Sequence, residues 1–198
     1  MSSSTPRLRW CFMNKKINEP NDEPWIETFT GLQFHLLNPR PEEICIEDIA
    51  HALSLQCRFT GHTRKFYSVA EHSYYVSLVA ALPGLLHDAS EAYIGDLSRP
   101  LKHFTPVGPE YLRIESNIER AIALKFELPW PPSFEVLEIV KKADNSILYT
   151  EKDQLMTKLD WDVDWTDDPE KPRMKVQLVG YRPEVIEKIF LQRFFQLT

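Results

Sequence analysis

The chain has 198 residues, 43% of them apolar and 26% charged, a composition typical of a globular domain with its own core. Its net charge of −6 argues against a nucleic-acid backbone as the main partner. The sequence contains no apolar run of membrane-spanning length and no signal-peptide core near its start, so we expect a cytoplasmic protein without membrane association.

Residues 1–24 are rich in serine, proline, asparagine and charge, which predicts a mobile arm ahead of a single domain over 25–198. A short extended segment is expected around residues 33–37. Pro41 then opens a helix that ends near Gln56. With only six glycines in the chain, little β structure is expected.

Ser68 marks the start of the next helix, because Glu71 follows three residues later, as in a capping box. Pro83 predicts another helix, which would continue to Gly95. Three more helices are expected, over residues 109–126, 133–158 and 182–198. Two segments, 96–105 and 160–172, are expected to connect helices. We therefore predict an all-α fold, a compact bundle of five to seven helices with little or no β structure.

Several polar residues fall where these helices should be apolar. Four side chains suited to metal binding or acid–base chemistry lie within ten residues of an otherwise apolar stretch: His87, Asp88, Glu91 and, just past the predicted helix end, Asp96. His72 and Asp144 lie on apolar faces of two other predicted helices. Taken singly, such residues are usually a hydrogen-bonded core histidine or a capping or salt-bridging aspartate. Taken together, two imidazoles and two carboxylates suit a divalent Mn, Fe, Co, Ni or Zn ion.

The order of these residues resembles the HD-domain superfamily of metal-dependent phosphohydrolases. Four strings resemble its bacterial 5′-deoxynucleotidases: Ala70-Glu71-His72-Ser73, His87-Asp88-Ala89-Ser90-Glu91, Gly95-Asp96-Leu97 and Pro100-Leu101-Lys102. Two more resemble a compact, mostly phage-borne branch that includes dATP triphosphohydrolases: Ile49-Ala50-His51-Ala52-Leu53-Ser54 and Arg58-Phe59-Thr60-Gly61-His62. The resemblance covers residues 30–160 and part of the last helix.

The resemblance implies an HD-type helical domain and assigns roles within it. The implied metal ligands are His72, His87, Asp88 and Asp144. Glu91 would orient or deprotonate the attacking water, or return a proton to the leaving group. Asp96 would contact the water network or the sugar 3′-hydroxyl. The ordinary alternatives are a solvated acid at Glu91 and a cap or turn residue at Asp96.

The resemblance also implies a substrate pocket. Arg58 and Phe59 resemble an arginine–aromatic pair that lines the deoxyribose and base pocket, although the family's aromatic residue is tryptophan. The alternative is a surface arginine beside a core phenylalanine. Two groups of basic residues flank the metal motif and suit a polyphosphate, unless they are only solubilising charge; they are His62, Arg64, Lys65, Arg99 and Lys102.

The expected function is metal-dependent hydrolysis of a deoxynucleotide. We favour dATP or another dNTP, cleaved by water at the α-phosphorus to a deoxynucleoside and triphosphate, with Mg²⁺ accompanying the triphosphate. The alternatives are a 5′-deoxynucleotidase that acts on a dNMP, a non-catalytic nucleotide sensor and a protein whose metal only staples helices. The resemblance also implies a homo-oligomer, a dimer or a hexamer, in the host cytoplasm if the gene is phage-borne.

Overall fold

The computed structural model describes residues 23–157 and 171–198. Most of the predicted arm and of the acidic segment at 160–172 therefore lies outside the described residues. Within them the chain forms seven α-helices and one two-stranded sheet, which confirms the all-α prediction. In chain order the elements are β1 (Ile26–Glu27), β2 (Gln33–Phe34), α1 (Ile46–Leu55), α2 (Val69–Leu86), α3 (Glu91–Ile94), α4 (Arg99–Phe104), α5 (Gly108–Lys125), α6 (Phe134–Leu155) and α7 (Pro183–Leu197).

The small sheet is a hairpin tied to α1. Its antiparallel strands pair Ile26 with Phe34. Thr30 in the turn donates from its backbone nitrogen (2.7 Å) and its hydroxyl (2.9 Å) to the carboxylate of Asp48 on α1. This side chain therefore fixes the hairpin against the helical domain.

The helix predicted to begin at Pro41 is divided. A 3-10 turn covers Pro41–Glu43, the next two residues are extended, and α1 begins only at Ile46. The buried carboxylate of Glu43 accepts hydrogen bonds from the backbone nitrogen of His35 (3.0 Å) and pairs with its Nδ1 (2.7 Å). These long-range bonds compete with a continuous helix. The predicted connector at 96–105 is also partly wrong, because it contains α4.

The helix predicted from Pro83 to Gly95 is not continuous. Ala81 takes a left-handed backbone conformation (φ 51°), which bends α2 just before Pro83. Helix α2 then ends at Leu86, and residues 87–90 form turns before the single turn of α3, which stops at Gly95 (φ 78°). The motif residues are therefore presented by a tight turn rather than by one helix face.

Helix α2 occupies the middle of the molecule, packed against α6 on one side and α7 on the other, while α1 also packs against α7. Two clusters of buried apolar side chains result. The larger joins β2, α1, both ends of α2, α3, α5 and α7, with Phe34, Leu85, Ile118 and Phe190 among its members. The smaller lies between α2 and α6, with Tyr67, Val76, Ile147 and Leu178 among its members.

Across the described ranges, none of the helices combines the length and apolar character required to cross a membrane.

Candidate metal centre

Three elements bring the predicted metal ligands together. Ser68 caps α2 by accepting a hydrogen bond from the Glu71 backbone nitrogen (3.1 Å), which places His72 in the first turn. The bend at Ala81 changes the direction of the last part of α2, and His87 directly follows the last residue of that helix. Asp144 comes from the middle of α6, which begins at the cap residue Ser133.

The side chains converge on one small volume. The Nε2 atom of His72 lies 3.3 Å from Nε2 of His87 and 3.2 Å from Oδ1 of Asp144. Ligand atoms of these three residues all lie within 4.8 Å of one another, so the group could hold a metal ion. This finding supports a metal site in general and does not choose among the expected ions.

Asp88 lies at the edge of the same cluster. Its Oδ2 atom is 3.2 Å from His87 Nε2 and 3.6 Å from His72 Nε2. Burial alone would raise the pKa of the Asp88 carboxyl, but His87, His72 and Arg58 together hold it well below its usual range. Asp88 is therefore ionised and close enough to serve as the predicted fourth ligand.

Each imidazole is oriented by a hydrogen bond on its other nitrogen. His72 Nδ1 lies 2.7 Å from Oε1 of Glu151, and both side chains are fully buried. His87 Nδ1 lies 2.9 Å from the carbonyl oxygen of Gly84. An oxygen acceptor at Nδ1 fixes the tautomer and leaves Nε2 free to bind a metal.

The electrostatics favour a cation at this point. Burial and Arg58 both lower the pKa of His72, yet Glu151 and Asp144 raise it to about 9. In the absence of a metal, these carboxylates therefore hold a proton on a fully buried imidazole. The same negative charges would stabilise a divalent cation, so the donor set fits a bound metal.

Two further acids adjoin the ligands. The Glu91 side chain is buried, and its Oε2 atom has no hydrogen-bond partner among the described residues. Burial, then Asp88 and Asp96, raise the pKa of Glu91 to about 9. The pKa of Asp96 is also raised, chiefly by burial. Glu91 is thus a buried acid with an unused oxygen, and Asp96 lies close enough to influence its protonation.

Arg58 reaches into the cluster from the segment before α2. Its guanidinium lies 3.5 Å from Asp88 Oδ2 and 3.3 Å from Glu151 Oε2, and it packs 5.6 Å from the centre of the Phe59 ring. Phe59 itself has a left-handed backbone conformation (φ 54°). Arg58 therefore links the ligand Asp88 to the residue that orients His72, with Phe59 beside it.

Four further basic residues predicted to contact substrate are dispersed. His62 and Arg64 are exposed, and Arg64 donates to the carbonyl of Gln154 (3.3 Å). Lys65 donates to the carbonyls of Leu178 and Val179 (2.7 and 2.9 Å). These contacts fasten the segment before α2 to its neighbours. A role in binding substrate stays a prediction for all three.

Lys102 on α4, the fourth of these basic residues, lies near the acids Glu91 and Asp96. Its Nζ atom lies 2.7 Å from Oε1 of Glu115 on α5 and 5.3 Å from the centre of the Tyr111 ring. It also lowers the pKa of Glu91 and of Asp96, although burial outweighs it in both cases. Among the predicted basic contacts, Lys102 thus joins Arg58 near the acids.

Sequence reasoning missed Glu151. It lies seven residues after Asp144 on α6, which places it two helical turns further along the same face. The sequence alone shows that spacing. It does not show that Glu151 pairs with His72, which lies 79 positions earlier in the chain. It also missed Glu119 on α5, whose pKa is raised to about 7 by burial and then by Glu115.

Fold and site together define an all-α protein with a buried histidine–aspartate cluster that could hold a metal ion. The chain is 40% identical over 135 residues to the uncharacterized protein YfdR of Escherichia coli, an alignment covering 66% of this chain and 72% of that protein. It is 34% identical over 144 residues to the uncharacterized protein RCAP_rcc00048 of Rhodobacter capsulatus, with the same coverage. The chain belongs to one family with these proteins, whose names state no activity. No protein-family model matches the chain.

Proposed function

We propose that this protein is a metal-dependent phosphohydrolase of the HD-domain type that acts on deoxynucleotides. The favoured reaction converts dATP or another dNTP to a deoxynucleoside and triphosphate. The observation that carries the proposal is the meeting of His72, His87 and Asp144 beside Glu91, a buried acid with an unpartnered oxygen. A metal site that only stabilises the fold does not require Glu91, a buried acid next to the ligands that is not itself a ligand.

His72, His87, Asp88 and Asp144 would hold the ion, with Glu151 and the Gly84 carbonyl fixing the two imidazoles. A divalent ion in such a site lowers the pKa of a bound water and polarises a phosphoryl oxygen. Three or four protein ligands leave coordination positions open on an octahedral ion. The ligand set therefore permits catalysis as well as binding.

Glu91 would transfer the protons of this reaction. The charge of a bound divalent ion would lower the pKa of Glu91 from its metal-free value of about 9. The ionised carboxylate would then accept a proton from the attacking water as the water oxygen bonds to the α-phosphorus. A proton must then reach the 5′-oxygen as the bond from that oxygen to phosphorus breaks, and the protonated Glu91 would return it.

Two alternatives keep the same site. A 5′-deoxynucleotidase would use the same residues on a dNMP and release phosphate. A nucleotide sensor would bind the substrate without cleaving it, but a sensor does not require Glu91 with its free oxygen. The buried Glu91 therefore favours an enzyme over a sensor.

The deciding experiment is a substrate panel. Metal-stripped protein is reloaded with Mn²⁺, Co²⁺ or Mg²⁺ and incubated with dNTPs, dNMPs and the matching ribonucleotides, and the products are separated by anion exchange. Release of triphosphate from a dNTP supports the favoured reaction. Release of phosphate from dNMPs alone establishes the nucleotidase alternative. Failure to cleave any of them with any metal overturns the proposal.

A further inference from the structure

A cavity of about 320 Å³ lies next to the metal centre, between the end of α2, α5 and the start of α6. Its wall is mainly apolar and includes Leu86, Ile122, Trp130, Val136, Leu137 and Val140. The volume falls at the lower end of the roughly 300–1,000 Å³ found for small-molecule pockets. None of the substrate contacts expected from the sequence lies in this wall.

The cavity borders the site, and the two have His87 in common. His87 forms part of the cavity wall and also points its Nε2 atom at His72. Val140, another wall residue, lies one helical turn before Asp144 on α6. A molecule whose phosphate reached the ligands could therefore extend its other end into this space.

The chemistry of the wall restricts what that end can be. An apolar wall does not stabilise a triphosphate, whose charges would lose their hydration. The flat, apolar faces of a nucleobase suit it, and the Trp130 ring offers a surface for stacking. The Glu119 carboxyl is the acid in the wall, and it can accept a hydrogen bond from an exocyclic amino group.

We propose that this cavity is the base-binding subsite of the proposed deoxynucleotide hydrolase, and that Glu119 selects bases that carry an exocyclic amino group. The inference rests on the proposed function for its choice of ligand. The proposed subsite places the base between α5 and α6 rather than against Phe59. Glu119 lies in the wall of this subsite and is therefore the specificity-determining residue.

Leu137 allows the cavity to be filled without disturbing the core, because it lines the cavity and its side chain is about half exposed (52%). Leu137→Trp should occupy the space. The matched control is Ile139→Trp, since Ile139 lies on the same helix, is similarly exposed (48%) and does not line the cavity. Both variants should fold and bind metal as the wild type does.

Binding of 2′-deoxyadenosine to the Co²⁺-loaded proteins is measured by calorimetry, beside dATP and dAMP hydrolysis by the same samples. The expected result is binding by the wild type and by Ile139→Trp, weakened by roughly tenfold or more in Leu137→Trp. Equal binding by Leu137→Trp and its control, or no binding by the wild type, overturns the inference. Binding that responds to Leu137→Trp without any hydrolysis supports the subsite and refutes the proposed reaction instead.

The amino-group selection has its own test. Wild-type protein should bind 2′-deoxyadenosine more tightly than purine 2′-deoxyriboside, which lacks the 6-amino group. Glu119→Leu keeps the size of the side chain but removes its acceptor oxygens, so the preference should disappear. An unchanged preference in Glu119→Leu would refute selection by Glu119. Whether the cavity binds the base at all would still be decided by the Leu137→Trp experiment.

Discussion

The Nδ1 atom of His72 on α2 lies 2.7 Å from a carboxylate oxygen of Glu151 on α6, and both side chains are completely buried. Burial would raise the pKa of the Glu151 carboxyl, but Arg58 and His72 lower it, so the group is ionised. A charged acceptor at Nδ1 increases the basicity of Nε2, the nitrogen that faces the other ligands. Glu151 therefore acts on the metal through His72.

Glu151→Gln should weaken metal affinity. Loss of a residue that orients a ligand usually costs about 10- to 100-fold in metal affinity or activity. The measurement is a competition titration of Co²⁺ against a chelator. Glu138→Gln makes the same chemical change on the outside of α6, where Glu138 only approaches the exposed Lys142 at 3.8 Å. Equal affinities for the two variants would contradict the role of Glu151.

Glu91→Gln separates catalysis from metal binding. The substitution keeps the size of a buried side chain but removes its ability to take a proton. In the proposed reaction kcat should fall by about 100- to 10,000-fold, the usual contribution of a positioned acid or base. Metal content, measured by atomic emission, should remain that of the wild type. Loss of the metal together with activity would instead make Glu91 a ligand or a structural residue.

The local parts of the fold could be predicted from the sequence because they depend on neighbouring residues. Ser68 and Ser133 cap α2 and α6 at the two predicted helix starts, each accepting a bond from a backbone nitrogen three residues later. The break before Pro83 is also a local effect. The ligand set could be proposed because a histidine or aspartate on an apolar helix face is conspicuous in the sequence alone.

The missed parts depend on contacts between distant segments. In a complete capping box the Glu71 carboxylate would accept a bond from the Ser68 backbone nitrogen, but here it is used elsewhere. It accepts hydrogen bonds from the backbone nitrogens of Val179, Gly180 and Tyr181, more than one hundred positions along the chain. The separation of His87 from α3 and the pairing of Glu151 with His72 have the same origin, because tertiary contacts override local preference.

The contacts of Glu71 make it a stability determinant. Its fully buried carboxylate accepts three backbone bonds of 2.8–3.0 Å from residues 179–181. Gly180 permits this arrangement, because it has a positive φ (70°) and a side chain there would meet the Phe66 carbonyl. Glu71→Gln replaces one acceptor oxygen by a donor that faces these nitrogens.

Glu71→Gln should therefore reduce the free energy of unfolding by roughly 1–3 kcal/mol, the cost of leaving a buried partner of a charged group unsatisfied. Urea denaturation followed by circular dichroism measures the change. Glu42→Gln, at an exposed position, should change the free energy by less than about 0.5 kcal/mol. If Glu71→Gln were as mild as this control, the three bonds would contribute little to stability.

The raised pKa of Glu119 predicts how the free energy of unfolding depends on pH. Burial, then the neighbouring Glu115, raise its pKa in the folded protein from 4.5 to about 7. Between these two values the folded state holds a proton that the unfolded state has released, so stability falls as the pH rises through this range. Above pH 7 the folded protein must keep this half-buried carboxylate ionised.

Glu119→Gln removes that titration, so it should stabilise the metal-free protein more at pH 8 than at pH 5. The measurement is the midpoint of urea denaturation at both pH values, with a chelator present so that metal binding does not contribute. Glu138→Gln, on the outer side of α6, should leave the difference between the two pH values unchanged. The same shift at pH 5 and pH 8 in Glu119→Gln would show that its carboxyl titrates normally. The wall of the cavity would then be more hydrated than its apolar lining indicates.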